Sequence, residues 1–456
     1  MKKSFLSASL LLLVSGLSLQ VQATNLLEAY KDAVKNDPQT LKAKAQYDVA
    51  KASESVAFSS LLPSIGFTAS YTATDYETYV GAVTSTDSTN PTPSTFDNDV
   101  TTLSYGLSLS QSIFKMGDWY SLDAAEKRAL QAQAGFDLAQ QTLITRVSVA
   151  YFNVLKAQDN LEFIQAEKKA IERQLEQTKQ RFNVGLTAIT DVHEAQANFD
   201  SAVAEEIRGK NSIEIAKETL REITGKYYST FDGLNTDRFE ATMPAPLKIQ
   251  HWVTKSEESN LELKAKELLV EATKYDIQRA QSGHYPTLDL TASLTNSDES
   301  GLYNAVDYNE PALNTTSIGL NLTVPIYSGG ATSAAVKQAQ ANYVYASQDM
   351  EATHRSVVRQ ARTSFADVVA LVSTLKALEQ SVISAESALK ATQAGFEVGT
   401  RTIVDVLNST QNLFNAKRNL SNTRYDYILA MLTLKQSSGS LTGSDVEAVN
   451  SGLSAS

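Results

Sequence analysis

The sequence predicts an α+β membrane protein made of two tandem copies of one unit. Each copy combines a long helical hairpin, of the kind that packs as a coiled coil or α-barrel, with two membrane-crossing strands, giving four transmembrane β-strands per chain. Three observations carry this expectation. Phe182-Asn183-Val184-Gly185-Leu186-Thr187-Ala188-Ile189-Thr190-Asp191-Val192 returns as Phe396-Glu397-Val398-Gly399-Thr400-Arg401-Thr402-Ile403-Val404-Asp405-Val406, the mark of an internal repeat. Four stretches alternate apolar and small polar residues with period two. Two others keep a helical pattern without proline over about 70 residues, far beyond an ordinary globular helix.

Composition narrows the class. The chain has 456 residues, 42% of them hydrophobic, with 9 Pro, 20 Gly and no Cys. It is globular and rich in helix, and neither a disulfide framework nor a thiolate metal site is available to it. His193, His251, His284 and His354 are scattered, with no pair at metal-ligand spacing. The net charge of −11, more negative still without Lys2 and Lys3, argues against nucleic acid as a partner and leaves a membrane open.

In chain order, Met1–Ala23 starts with two lysines, carries an apolar run from Phe5 to Leu19, and ends in the small-residue site Val21-Gln22-Ala23. Those are the parts of a secretory signal peptide. No later stretch approaches the roughly 18 apolar residues of a spanning helix, so the mature chain is expected to have no helical span.

The first repeat occupies 24–225. A helical pattern from Leu26 to about Ser60 is interrupted at Asn36-Asp37-Pro38, where proline suits a first turn. Strands follow at about 64–74 and 103–114, with Ile65, Phe67, Ala69 and Tyr71, then Leu103, Tyr105, Leu107 and Leu109, on one face. Lys115 to about Val184 is one long helix. Its apolar residues Ile144, Val147, Tyr151, Val154, Leu161, Ile164, Ile171, Leu175 and Phe182 keep coiled-coil spacing. At about 1.5 Å per residue it would reach roughly 100 Å. The tip covers 184–191, and a return helix of about half that length runs from about Ile189 to Ile223.

A connector with Pro244 and Pro246 fills 226–254. The second repeat, 255–439, has a helix at about Ser256–Gln281 and strands at about 287–295 and 317–327. Its long helix runs from Ala331 to Val398, its tip covers 398–405, and its return helix runs from Ile403 to Gln436. The Ser- and Gly-rich tail, 440–456, is expected to fray at its end. Gly185 and Gly399, Asp191 and Asp405, and Gly225 and Gly439 all stand 214 positions apart, so the helix-turn-helix aligns without a gap.

Each strand has the length of a tilted membrane strand, about 9–12 residues. A soluble sheet would bury its apolar face on helices, but these helices carry a seam of their own. Four strands are too few to close a membrane barrel, for which about eight is the smallest number, so strands must be pooled with other copies of the chain.

The leader, the duplicated units and the paired tips make this sequence resemble the TolC outer-membrane channel-tunnel family nearly end to end. The most specific matches are Gln180-Arg181-Phe182-Asn183-Val184-Gly185-Leu186, Gly283-His284-Tyr285-Pro286-Thr287-Leu288-Asp289-Leu290-Thr291, and Gly399-Thr400-Arg401-Thr402-Ile403-Val404-Asp405-Val406-Leu407. The resemblance implies a homotrimer, and so a 12-stranded β-barrel in the outer membrane of a Gram-negative cell, with helices reaching into the periplasm. It also implies an exit duct for multidrug efflux and type I protein secretion. An inner-membrane efflux pump or ABC exporter recruits such a duct through a periplasmic adaptor (membrane fusion) protein.

The tips differ where a gate would need it. Thr187 becomes Arg401 and Glu194 becomes Asn408 in the second copy. Arg401 stands four residues before Asp405 and can pair with it or reach Thr190 and Asp191. In the resembled family an arginine here ties the second hairpin to the first near Thr190 and Asp191, and an aspartate at Asp405 forms a constricting acidic ring, which like-charge crowding would make attract cations. Phe396 stands where that tie often uses a tyrosine, and Asn408 where a second aspartate follows, so the gate is expected to be looser. Without the resemblance, Arg401 and Asp405 read as a surface pair worth under about 1 kcal/mol. Val184, Gly185, Leu186, Val398, Gly399 and Thr400 match the tips on which the family's adaptor docks; glycine there also serves simply as a helix cap.

No nucleophile elbow, phosphate loop, dinucleotide fingerprint or metal cluster is present, so no enzyme, cofactor or resident metal is expected. A stand-alone diffusion porin would explain the strands and leave the long helices idle. A soluble coiled-coil adaptor would do the reverse.

Overall fold

The computed structural model describes residues 24–80, 94–303 and 306–454. The leader expected at 1–23, and the tail's last two residues, lie outside the described residues. The elements in order are α1 (Leu26–Asn36), α2 (Pro38–Ser59), β1 (Ser64–Val80), β2 (Ser94–Phe114), α3 (Met116–Asn183), α4 (Ile189–Thr224), β3 (Gly233–Leu234), α5 (Ile249–Ser259), α6 (Leu261–Gln281), β4 (Thr287–Tyr303), β5 (Val306–Thr323), α7 (Ala331–Glu397), α8 (Ile403–Ser437), α9 (Gly443–Asn450) and β6 (Leu453–Ser454). They fall into two compact units. One comprises Leu41–Ala139 and Thr254–Gln360; the other comprises the chain up to Thr40, Gln140–Val253 and Ala361–Ser456.

The first unit holds a four-stranded antiparallel sheet in the order β1-β2-β4-β5. Rows of like side chains cross it: Phe67 faces Leu107, which faces Leu294, while on the opposite pleat Gly66 faces Ser108, which faces Ser293, which faces Ser317. Ser293 and Ser317 stitch the polar rows at 2.8 Å, and on the other pleat Asn296 pairs with Asn314 at 2.9 Å, beyond the Leu294 row. The apolar face is open, with Ile318 77% and Phe67 66% exposed. β1 and β5 are the edges of this sheet, with no further strand beside them among the described residues.

The strands run 17, 21, 17 and 18 residues, longer than the alternation at 64–74 and 103–114 marked. Backbone pairing continues past the apolar stretch into Thr-, Ser- and Asp-bearing ends, where side-chain pattern no longer reports it. At the other end the expectation overshot. β5 stops at Thr323 rather than near 327, because Pro325 has no N–H for the ladder.

Helices of this unit pack through small residues such as Ala124, Ala129, Ala272, Ala339 and Ala346, with Tyr47 stacked on Phe136. Lys127–Glu271 at 2.7 Å and Lys266–Asp349 at 2.6 Å pair across them. The helix expected from Ser256 is two helices. Asn260 breaks it, accepting the N–H groups of Glu262 (3.0 Å) and Leu263 (3.1 Å) as the N-cap of α6.

The second unit has its main core among α1, α3, α4 and α8, around Leu26, Ala33, Leu143, Val147, Phe152, Leu220 and Tyr425. Where the Asn36-Asp37-Pro38 break falls, buried Asp37 receives the N–H (2.8 Å) and hydroxyl (2.7 Å) of Thr40, and Arg146 donates to both carboxylate oxygens at 3.2 and 3.0 Å. The connector contributes Tyr228 and Phe231 to this core. The hydroxyl of Tyr151 lies between the carbonyls of Thr24 (3.0 Å) and Asp232 (2.9 Å).

The tail is not frayed over its described part. α9 opens with a Thr442–Asp445 capping box, Val446 enters the core, Lys435 pairs with Asp445, and β6 pairs with β3. Two of these devices are local, the capping box and the Lys435–Asp445 pair, and two join the tail to distant parts of the chain.

One later helix has a higher average hydropathy than the sequence reading marked. α7 contains a window of mean hydropathy 1.3, long and apolar enough by composition to span a membrane, and 17% of that window is buried in this chain. Its many Ala and Val residues raise the average, although Ser, Thr and charged residues interrupt any continuous apolar run.

Candidate gate at the two hairpin tips

Both tips are closed by the same backbone device. At the first, Gly185 takes φ +78°, its N–H donates to Phe182 O (2.9 Å), and the Leu186 N–H donates to Arg181 O (2.8 Å). At the second, Gly399 takes φ +82°, its N–H donates to Phe396 O (3.1 Å), and the Thr400 N–H donates to Gly395 O (2.8 Å). This is the Schellman pairing. Glycine fits because a left-handed φ costs other residues about 1–2 kcal/mol. Val184, Leu186 and Val398 project beyond it, 70%, 67% and 76% exposed.

The restarts differ. α4 begins after Ala188 without a side-chain cap, and Asp191 instead accepts the Thr187 hydroxyl. α8 begins with a capping box. Asp405 accepts the N–H and hydroxyl of Thr402, both at 2.9 Å, and its own N–H donates to Thr402 Oγ1 at 3.3 Å. The Thr402 backbone bond first, then its hydroxyl, hold the Asp405 carboxyl below its usual range; burial pushes the other way, and the neighbouring Arg401 charge adds the least.

Arg401 is exposed, and among the described residues its guanidinium pairs with neither Asp405 nor Thr190 nor Asp191. Its stem crosses Gly395, where an added Cβ would stand 2.7 Å from Arg401 Cγ. Thr190 and Asn408 are exposed.

Phe396 sits inside. It is 6% exposed in a cluster with Ile171 of α3, Ala202 of α4 and Ile403, Val406 and Leu407 of α8, so all four hairpin helices meet there. The Arg181 guanidinium carbon lies 4.6 Å from the Phe396 ring centroid. Sequence reasoning assigned Arg181 and Gly395 no role, although Arg181 stands in a quoted motif. Further from the tips, α3, α4 and α8 enclose a groove of about 620 Å³ whose lining includes Ile164, Leu407, Arg208 and the ion pair Glu167–Arg418 at 2.7 Å.

Residues 29–226 and 252–440 match the outer membrane efflux protein family, once in each half of the repeat. The chain belongs to that family. Its TolC branch includes the outer membrane protein TolC of Vibrio cholerae, 46% identical over 98% of this chain and 97% of that one. The proteases secretion protein PrtF of Dickeya chrysanthemi is 29% identical over 98% of this chain and 94% of its own. Among solved structures, a membrane protein from Pseudomonas aeruginosa has the same fold, with a TM-score of 0.76, 19% identity, and coverage of 93% of this chain and 92% of that one.

Membership makes the chain an outer-membrane channel of efflux and secretion pathways with a periplasmic extension, a transport protein without catalysis. Its fold combines the long α-helical hairpins and antiparallel sheet of the TolC-like kind. Among the described residues no group of three or more His, Cys, Asp or Glu is placed to hold a metal.

Proposed function

We propose that the chain is one third of a passive exit duct for multidrug efflux and type I protein secretion. Its barrel lies in the outer membrane, its helices cross the periplasm, and its periplasmic end is gated by the two hairpin tips. The observation that carries the gate is the inequality of tips with the same backbone: the first ends in an engaged Asp191, the second in Arg401, whose guanidinium has no polar partner among the described residues.

An exposed guanidinium without a partner among the described residues would be free to tie onto Thr190 or Asp191 of a neighbouring copy. Such a charged hydrogen bond is worth about 1.5–3 kcal/mol, and a threefold axis repeats it. Three Asp405 carboxylates drawn together on that axis would attract cations and repel each other, opposing the downward shift each has within its own chain.

The exposed tips Val184, Gly185, Leu186, Val398, Gly399 and Thr400 offer the docking surface for a periplasmic adaptor, through which an inner-membrane pump or ABC exporter opens the duct. No nucleotide or proton-relay constellation is present in the sequence, so the driving energy belongs to the pump. Single-channel current in planar bilayers tests the reading. Arg401→Ser should raise conductance or open probability several-fold over wild type, and identical currents would refute the gate.

A further inference from the structure

The first hairpin's Arg181 carries a charge that no carboxylate answers among the described residues. Its side chain makes no hydrogen bond or ion pair among the described residues, and its Nε is buried without an acceptor. What lies against the guanidinium is an aromatic ring of the other hairpin, Phe396, at 4.6 Å from the centroid. That ring is held still by Ile171, Ala202, Ile403, Val406 and Leu407.

A planar, weakly hydrated guanidinium over a desolvated ring is a favourable cation–π arrangement, and arginine suits it better than lysine. Both partners are also fixed by the tip turns. Arg181 supplies the carbonyl that accepts Leu186 N–H, and Phe396 the one that accepts Gly399 N–H, so the contact joins the last turn of α3 to the last turn of α7.

We propose that Arg181 is a positioning residue of the gate, fastening the first hairpin to the second within one protomer by seating its charge on Phe396. The proposal rests on the gated-tip reading above. It gives Phe396 a tie of its own that needs no hydroxyl. It also separates two kinds of tie at the tips, one inside the protomer through Arg181 and one between protomers through Arg401.

The chain has no cysteine, so spin labels placed at Val184→Cys and Val398→Cys in the detergent-purified full-length oligomer report the spacing of the tips directly. Arg181→Gln and Phe396→Leu should each raise the population of separated tips about threefold to tenfold. The double variant should show no more than the larger single effect, because both remove one contact. Phe396→Tyr should keep the wild-type distribution, and Arg181→Lys should recover part of it.

An unchanged distribution in Arg181→Gln, or additive effects in the double variant, would overturn the latch. Bilayer currents separate it from the gate. If Arg401→Ser raises the current and Arg181→Gln does not, the latch has no part in gating and the proposal fails. If neither changes the current while the label distances shift as expected, the intraprotomer tie stands and the gate reading fails.

Discussion

Replacing Asp37 by alanine should loosen the second unit by about 3 kcal/mol, and the geometry says why. The carboxylate is 1% exposed and takes four hydrogen bonds, two from Thr40 and two from Arg146. Losing the cap on α2 costs about 1 kcal/mol. Leaving Arg146 without its partner adds to that. A fully buried pair broken on one side costs about 3–5 kcal/mol, but the Arg146 side chain is 24% exposed and regains some water, which pulls the total to the lower end. Asp37→Asn keeps an acceptor for Thr40 and should cost less, about 1–2 kcal/mol.

The same group makes a pH signature. Burial pushes the Asp37 carboxyl up, yet the Thr40 hydroxyl and N–H and the Arg146 charge together outweigh it and leave the carboxyl below its usual range. Its contribution is therefore complete above the unfolded carboxylate value near 4 and is lost as pH falls through the lower folded value. Trp252, 6% exposed in the second unit, reports unfolding once Trp119→Phe removes the other indole. Denaturant midpoints of the detergent-purified oligomer should show the gap between wild type and Asp37→Ala near neutral pH, narrowing below pH 4. A gap absent at neutral pH, or unchanged across that range, would refute the account.

Three further outcomes concern the tips. Gly395→Ala gains about 1 kcal/mol of helix propensity. It places a methyl 2.7 Å from Arg401 Cγ, so stability should change by less than about 1 kcal/mol while the displaced Arg401 raises channel current several-fold. Asp405→Ala should weaken block by added divalent or trivalent cations at least tenfold in bilayer titrations, and equal block in both proteins would remove the acidic ring. Val398→Asp, at a side chain 76% exposed, should leave oligomer and bilayer current intact and reduce drug efflux in cells about tenfold; unchanged resistance would mean the adaptor docks elsewhere.

How much of this could be read from residues alone depends on the range of the forces involved. The glycines at 185 and 399 were legible because a left-handed turn is a one-residue requirement, and the strands' apolar rows because period two survives without knowing the partner. Strand ends were not legible, since ladder bonds join backbones whatever side chains they carry, and the tail was not, since its order comes from Thr442, Asp445 and Lys435 meeting locally and Val446 meeting a distant core.

Phe396 shows the limit most clearly. Compared position by position with a tyrosine, it reads as a lost hydroxyl and a weaker gate. The fold instead places it beneath Arg181, 215 positions earlier in sequence, where loss of the hydroxyl leaves the ring's attraction for a cation intact. Under the proposed latch, the tie that the pattern lacks at Phe396 is replaced by one to Arg181, and the spin-label distances in Arg181→Gln decide whether it holds.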